Sequence, residues 1–161
     1  MRERAVQLNY LEFDHIKDLT EEEQNLMETA TDFSKGAYAP YSDFKVGAAV
    51  SLGNGKIVGG SNQENAAFPS GLCAERVALF SASAQFPEVK ILGIAIYAGI
   101  NDLKDVLSPC GACRQVMQEY EQRQAKPIKV LLSAPSGKIL LFDSTQILLP
   151  FAFHLKSLKK H

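Results

Sequence analysis

The three cysteines of this chain occur in two short motifs, and a helical pattern follows each of them. One motif is Cys73-Ala74-Glu75-Arg76, and the other is Pro109-Cys110-Gly111-Ala112-Cys113-Arg114. Proline suits the first turn of a helix, and cysteines three positions apart lie on one helix face, so the second motif can bind one ion with two sulfurs. An odd number of cysteines cannot all pair within one chain. We therefore expect two helix N-termini to converge and to bring all three sulfurs to one metal ion.

The number of ligands predicts a catalytic zinc site. Unpaired N–H groups and the positive end of the helix dipole stabilise thiolates, which are the form that binds metal. Three protein ligands leave the fourth position of Zn²⁺ for water, whereas a structural site usually closes with four. We expect one Zn²⁺ per chain, held by Cys73, Cys110 and Cys113.

Two charged residues next to Cys73 complete the predicted site. Glu75 is two positions away, so it leaves the ligand face and can move protons between water and a substrate. Three thiolates give a zinc site a net negative charge, which Arg76 can offset by donating hydrogen bonds to sulfur. Taken alone, Glu75 would be an acid in a first helical turn and Arg76 an exposed surface charge. Their position beside Cys73 favours the functional interpretation.

Helical and strand patterns alternate along the chain. Helices are predicted to begin at Thr20, Cys73 and Pro109, the first with a capping box, and a short helical stretch follows at 145–149. The predicted strands are 44–52, 56–60, 91–98, 128–132 and 138–142. This order predicts the α/β class, as a three-layer α/β/α fold with a mixed five-stranded sheet. We expect one catalytic domain over residues 20–161, preceded by an N-terminal extension of residues 1–19.

Composition and charge disfavour several kinds of protein. With 161 residues and a hydrophobic content of 46%, the chain can bury one core without disulfides. The net charge is −1 and the basic residues are scattered, apart from a short tail with Lys156, Lys159 and Lys160. No apolar run approaches the roughly 20 residues that cross a bilayer, and residues 1–4 lead into no apolar signal core. We therefore expect a cytoplasmic protein that binds neither nucleic acid nor membrane.

Four motifs occur in a fixed order along the chain. They are Ala39-Pro40-Tyr41-Ser42-Asp43-Phe44-Lys45-Val46-Gly47-Ala48-Ala49, Asn62-Gln63-Glu64-Asn65-Ala66-Ala67-Phe68, Cys73-Ala74-Glu75-Arg76, and Ser108-Pro109-Cys110-Gly111-Ala112-Cys113-Arg114-Gln115. Together they resemble the small homotetrameric zinc-dependent cytidine deaminases of the cytidine and deoxycytidylate deaminase family. The resemblance covers roughly Thr20 to Phe153. Phe68 departs from it, because many members have Tyr at this position.

The resemblance implies a cytidine-deaminase-like fold and a role for each residue of the site. Cys73, Cys110 and Cys113 would hold the zinc, and Glu75 would shuttle protons. Asn62 and Glu64 would bind the ribose 3′-hydroxyl, Phe44 would pack against the pyrimidine ring, and the backbone N–H of Ala74 would contact the C2 carbonyl side of the base. Phe153 would reach into the pocket of a neighbouring subunit, so that a homotetramer shares its active sites. The implied reaction converts cytidine and deoxycytidine to uridine and deoxyuridine, with release of ammonia.

Other interpretations stay open at the level of sequence. Without the resemblance, Asn62 and Glu64 are ordinary polar residues of a loop, and Phe44 and Phe153 can simply belong to the core. The substrate can be another small aminopyrimidine, such as a nucleoside antibiotic, or a base in RNA or DNA. A protein of another class, a non-catalytic module stabilised by zinc, would also need metal ligands. Glu75 beside only three ligands argues against that last possibility.

Overall fold

The structure is a computed structural model, and it describes residues 1–100 and 105–154. The basic tail with Lys156, Lys159 and Lys160 lies outside the described residues. These residues form one mixed sheet with the strand order β1-β6-β5-β4-β2-β3. Its strands are β1 (Leu11–Phe13), β2 (Val46–Leu52), β3 (Ile57–Ser61), β4 (Ile91–Ala98), β5 (Lys129–Ser133) and β6 (Ile139–Phe142). The helices are α1 (Glu21–Lys35), α2 (Ala74–Gln85) and α3 (Gly111–Gln124), and 3-10 turns lie at Ile16–Asp18, Phe68–Ser70 and Thr145–Leu148.

The helices cover both faces of this sheet, which confirms the predicted three layers. Successive side chains of a strand point to opposite faces. On β4, Ile94 and Ile96 belong to the core cluster that includes α2 and α3, whereas Ala95 belongs to the cluster formed with α1. No helix among the described residues is long and apolar enough to cross a membrane.

All five predicted strands are present, and the sheet has a sixth that the sequence pattern did not indicate. The additional strand is β1, which lies within the segment set apart as an N-terminal extension and pairs antiparallel with β6. Three residues are too few to show an alternating pattern, so only the pairing reveals this strand. The capping box is confirmed, since Thr20 and Glu23 exchange side-chain and backbone hydrogen bonds at the start of α1. The helix predicted from Pro109 begins at Gly111, with Cys110 as its N-cap.

Strand direction explains why two helices start close together. Strand β2 pairs antiparallel with both β3 and β4, so β3 and β4 run in the same direction. Their carboxyl ends therefore meet at one edge of the sheet. Helix α2 is the next helix after β3, and α3 is the next helix after β4. The N-termini of both helices consequently face the same edge.

Two glycines allow helices to pack directly against the sheet backbone. A Cβ atom at Gly60 in β3 would lie 2.6 Å from the backbone nitrogen of Ala78 in α2. A Cβ atom at Gly47 in β2 would lie 1.9 Å from the carbonyl oxygen of Ala30 in α1. Real Cβ atoms do not approach backbone atoms so closely, so any side chain at these positions forces the helix away from the sheet.

We predict that Gly47→Ala lowers the free energy of unfolding by about 1–3 kcal/mol, because α1 must shift to accommodate the methyl group. The matched control is Gly36→Ala at the exposed C-terminal end of the same helix. Its nearest neighbour is 3.7 Å away and its φ is −89°, so the free energy of unfolding should stay within about 0.5 kcal/mol. Urea denaturation of both variants measures the difference, and equal stabilities would contradict the packing argument.

Candidate active site

The three cysteine sulfurs lie together where the two helices begin. Cys73 is the N-cap of α2, Cys110 is the N-cap of α3, and Cys113 lies in the first turn of α3. Their Sγ atoms all lie within 4.8 Å of one another, and those of Cys73 and Cys110 are 4.0 Å apart. With Zn–S bonds of about 2.3 Å in a tetrahedron, two sulfurs are separated by about 3.8 Å. The cluster therefore fits a tetrahedral zinc ion with three thiolate ligands.

The sulfurs differ in their protonation. A hydrogen bond from the Cys113 thiol lowers the pKa of Cys73 to about 5, with further contributions from Arg76 and Cys110. Cys113 is the donor in this bond and is fully buried, and both conditions raise the pKa of its thiol. The Cys73 thiol is thus more acidic than the Cys113 thiol, which holds its proton. Because metal ligands must be deprotonated, binding of zinc would release the Cys113 proton.

Arg76 lies where the sequence predicted a cation beside the sulfurs. Its Nη2 atom is 3.8 Å from the Cys73 Sγ atom and 3.5 Å from the carbonyl oxygen of Gly71. A guanidinium that donates to a ligand sulfur reduces the negative charge of the cluster. It also fixes the loop that leads into Cys73.

Glu75 is a buried acid at the wall of a cleft. Its side chain is only 5% exposed, and burial raises the pKa of its carboxyl group, with a further contribution from the charge of Cys73. The cleft measures about 520 Å³, which is within the range of small-molecule sites. Besides Glu75, the predicted site residues that line it are Phe44, Asn62, Glu64, Cys73, Arg76 and Cys110.

Asn62 forms two backbone contacts that sequence reasoning did not anticipate. Its side-chain oxygen accepts from the N–H of Val46 at 2.8 Å, and its side-chain nitrogen donates to the carbonyl oxygen of Phe44 at 2.8 Å. The amide therefore holds the start of β2 and places the Phe44 ring at the cleft. One N–H of the side chain remains beyond these two bonds.

Glu64 is held at the cleft by the turn that precedes Phe44. Its carboxylate accepts from the Ser42 hydroxyl, and from the Tyr41 N–H at 2.9 Å. The hydrogen bond from the Ser42 hydroxyl, followed by the one from Tyr41, lowers the pKa of Glu64. Glu64 is therefore ionised at neutral pH, and a carboxylate with about four acceptor positions retains capacity for a further donor.

Three predicted residues do not line the cleft: Cys113, which is buried behind it within the sulfur cluster, and Ala74 and Phe153. The Ala74 side chain is fully buried in the core cluster, while its backbone lies at the first position of α2, where helical N–H groups have no partner in the helix. Phe153 has a 63% exposed side chain, and its backbone N–H and carbonyl groups are both bonded to the side chain of Gln115. The predicted roles of Ala74 and Phe153 remain predictions.

Phe68, which stands where the family often has Tyr, lies at the rim of the cleft. It is 76% exposed, and its ring contacts Tyr41 edge-on with centroids 5.9 Å apart. Phe68 therefore contributes an aromatic contact to Tyr41, but it cannot make the hydrogen bond that a tyrosine hydroxyl at this position could make.

Sequence reasoning also missed the role of Arg114. Its Nε atom donates to the carbonyl oxygen of Pro109 at 2.7 Å, and its Nη1 atom donates to that of Leu148 at 3.1 Å. The side chain thereby connects the loop before Cys110 to the segment after the last strand. Arg114 belongs to one of the quoted motifs, but nothing in the sequence says which carbonyl groups it reaches.

Comparison with known proteins defines the class of this chain. The family described as cytidine and deoxycytidylate deaminase zinc-binding region matches residues 20–126. The chain is 44% identical over 130 residues to the cytidine deaminase of Halalkalibacterium halodurans, which covers 81% of this chain and 92% of the relative. It is 37% identical over 131 residues to that of Mycobacterium tuberculosis, which covers 81% of this chain and 89% of the relative.

A solved structure gives the same result. The crystal structure of cytidine deaminase from Burkholderia pseudomallei superposes with a TM-score of 0.72 at 40% identity, over 84% of this chain and 100% of that one. This chain belongs to the cytidine and deoxycytidylate deaminase family. Its cysteine cluster is the zinc-binding region of that family, and the predicted metal is confirmed at this level.

We predict about one Zn²⁺ per chain in freshly purified protein, because three thiolates and one water complete a tetrahedron. Cys110→Ser should reduce zinc content severalfold, since a serine hydroxyl is a poor ligand for this ion. The control is Ser108→Ala, which alters the same loop without removing a sulfur and should leave the zinc content unchanged. Elemental analysis measures all three proteins, and a Cys110→Ser variant with full zinc would contradict the ligand assignment.

Proposed function

We propose that this protein hydrolyses the amino group of cytidine and deoxycytidine to give uridine, deoxyuridine and ammonia. The observation that carries the proposal is the joint position of the sulfur cluster and Glu75. A three-sulfur zinc site and a buried acid with a raised pKa both border one cleft of a suitable size. The activity of the relatives in this family supports the same reaction.

In the proposed mechanism, Glu75 moves the protons. When bound by Cys73, Cys110 and Cys113, zinc supplies a Lewis acid that lowers the pKa of a water molecule towards neutrality. Glu75 takes a proton from the attacking water and passes it to N3 of the pyrimidine. After the oxygen has added to C4, Glu75 takes the remaining proton from that oxygen and delivers it to the amino group, and the C4–N bond breaks to release ammonia. A carboxyl group with a raised pKa suits this role, because it holds a proton more readily than an ordinary carboxyl group and can pass that proton on.

The remaining residues of the cleft would bind the nucleoside. We assign the ribose 3′-hydroxyl to Asn62 and Glu64, the face of the base to Phe44, and the C2 carbonyl group to the N–H of Ala74. The ionised state of Glu64 supports its part, because a carboxylate accepts a strong hydrogen bond from a hydroxyl. The free N–H at the start of α2 supports the part of Ala74.

Charge in the cleft disfavours a base in RNA or DNA as the substrate. Among the described residues that line the cleft, Arg76 is the one cation, and it is engaged with Cys73. Nucleic-acid grooves instead carry several cations along the path of the phosphates. A non-catalytic zinc module is also disfavoured, because it gives no reason to bury the Glu75 carboxyl group beside a negatively charged sulfur.

We further propose that the chain acts as a homotetramer with shared active sites. Phe153 supports this idea, since its backbone is bonded to Gln115 of α3 while its ring is exposed in the described part of the protomer, where a neighbouring copy can contact it. We also propose a catalytic unit of residues 20–161 after an extension of residues 1–19, whose strand β1 adds to the edge of the sheet; the family match begins at residue 20. Thiolate ligands favour a reducing compartment such as the cytoplasm.

We predict that Glu75→Gln retains zinc and the melting temperature but lowers kcat on cytidine by at least about a hundredfold, because an amide cannot carry the protons. Glu119→Gln, at a partly exposed position of α3 outside the cleft, is the matched control and should keep wild-type turnover. The decrease in ultraviolet absorbance as cytidine becomes uridine measures the rates. Near-normal turnover of Glu75→Gln would overturn the mechanism, and no turnover of the wild-type protein would overturn the proposed function.

We predict that Glu64→Gln lowers kcat/KM for cytidine by about tenfold or more, because the ribose hydroxyl loses a charged acceptor. The loss should be much smaller for an analogue that lacks the 3′-hydroxyl, which serves as the internal control. If kcat/KM falls equally for both substrates, Glu64 only stabilises the turn at Tyr41 and does not bind the 3′-hydroxyl.

The variant Asn62→Ala distinguishes, in the same way, a role of Asn62 in holding the backbone from a role in binding the ribose. It should cost about 1–3 kcal/mol of stability, since the Val46 N–H and the Phe44 carbonyl lose their partner. A role in recognition requires an additional loss on cytidine that the analogue without the 3′-hydroxyl does not show. Steady-state kinetics and urea denaturation on one preparation distinguish the two effects.

A further inference from the structure

The segment that precedes β1 has no role in the proposed reaction. Residues 1–10 form neither helix nor strand, and every one of them is exposed. Strand β1 is the outermost strand of the sheet in the described part of the chain, so its outer backbone groups have no strand partner there. Edge strands of this kind pair readily with another chain. The family match covers residues 20–126, so this segment lies outside it.

The sequence of this segment alternates in a way that is typical of a strand. Residues at even positions would share one side of an extended chain, and those at odd positions the other. Val6, Leu8 and Tyr10 form an apolar centre on the even side, and they are 56%, 50% and 53% exposed. Two basic residues precede this apolar centre and one acidic residue follows it. The residues at even positions are, in order, Arg2, Arg4, Val6, Leu8, Tyr10 and Glu12.

Two contacts within the protomer show that the even side already has a defined orientation. The ring of Tyr10 packs against Phe142 with centroids 5.4 Å apart. Glu12 forms an ion pair with Lys138 at 2.8 Å. Tyr10 and Glu12 are therefore held against β6 and against the turn that precedes β6.

When two copies of this segment run antiparallel side by side, the even-numbered side chains of one copy are complementary to those of the other. With Leu8 opposite Leu8 of the second copy, Val6 faces Tyr10, and Arg4 faces Glu12. Apolar pairs and opposite charges across antiparallel strands are favourable, and each contact occurs twice because of the symmetry. Neighbouring registers lose this match: with Gln7 at the centre, Arg4 faces Tyr10, and with Asn9 at the centre, Val6 faces Glu12.

We propose that residues 4–12 of two copies of this chain pair as antiparallel strands, with a twofold axis at Leu8. In this arrangement residues 3–5 of each copy lie beside the open outer edge of β1 in the other copy. The occupant is a second copy because a basic start, an apolar centre and an acidic end match the same sequence in reverse. The contact uses no residue of the cleft, so it is independent of the proposed deamination.

Disulfide formation tests both the partner and the register. In the full zinc-loaded chain treated with oxidised glutathione, Leu8→Cys should form a linked dimer at least tenfold faster than Val6→Cys. Directly opposite residues lie about 4.5–5.5 Å apart between Cα atoms, within disulfide reach, whereas the two Val6 positions are offset by four residues, or about 13 Å. The two sites are about equally exposed, so random collisions affect them alike. The wild-type chain measures linkage through the native cysteines, and cytidine turnover verifies the fold.

A charge variant tests the pairing of Arg4 with Glu12. In the Leu8→Cys background, Arg4→Glu should slow linkage severalfold, because a like charge then faces Glu12, whereas Arg4→Lys should have little effect. Equal rates for Leu8→Cys and Val6→Cys, faster linkage of Val6→Cys, or no linked dimer would each overturn the proposal. So would a rate for Arg4→Glu that matches the Leu8→Cys parent.

Discussion

Strand direction is the constraint on which the site of this protein depends. Because β3 and β4 both run antiparallel to β2, the helices that follow them begin at one edge of the sheet, and three sulfurs meet there. Each helix start also brings unpaired N–H groups and a partial positive charge to this edge. The same geometry thus delivers the metal ligands and the field that stabilises them as thiolates. Close packing of α2 on Gly60 keeps the helix start in place.

The site concentrates negative charge in a partly buried volume, and only limited compensation is present. Glu75 lies beside the Cys73 sulfur and is nearly inaccessible to solvent, so ionising it there is unfavourable. Arg76 and the helix starts offset part of this charge. A structure selected for stability alone would not place a carboxyl group there, because a buried polar group without full compensation costs free energy. The arrangement becomes reasonable if the raised pKa is used to carry protons.

Residues assigned to substrate binding also support one another. The Asn62 amide bonds to the backbone on both sides of Lys45, and the Glu64 carboxylate bonds to the turn at Tyr41 and Ser42. The loop that carries these residues is thereby joined to the start of β2, next to Phe44. Groups that are already hydrogen-bonded are held in one orientation, which lowers the entropic cost of binding a small substrate.

The sequence by itself determined the elements that depend on local pattern. Hydrophobic periodicity and capping residues gave the three helices and five of the six strands, and the spacing of Cys73, Cys110 and Cys113 indicated a shared metal ion. These features follow from neighbours in the chain, so a linear pattern contains them. Only the tertiary structure decided which distant groups meet. Strand β1 exists through its pairing with β6, the Asn62 amide reaches back to β2, and Arg114 joins Pro109 to Leu148. Such contacts depend on how the sheet orders its strands, and no short stretch of sequence encodes that order.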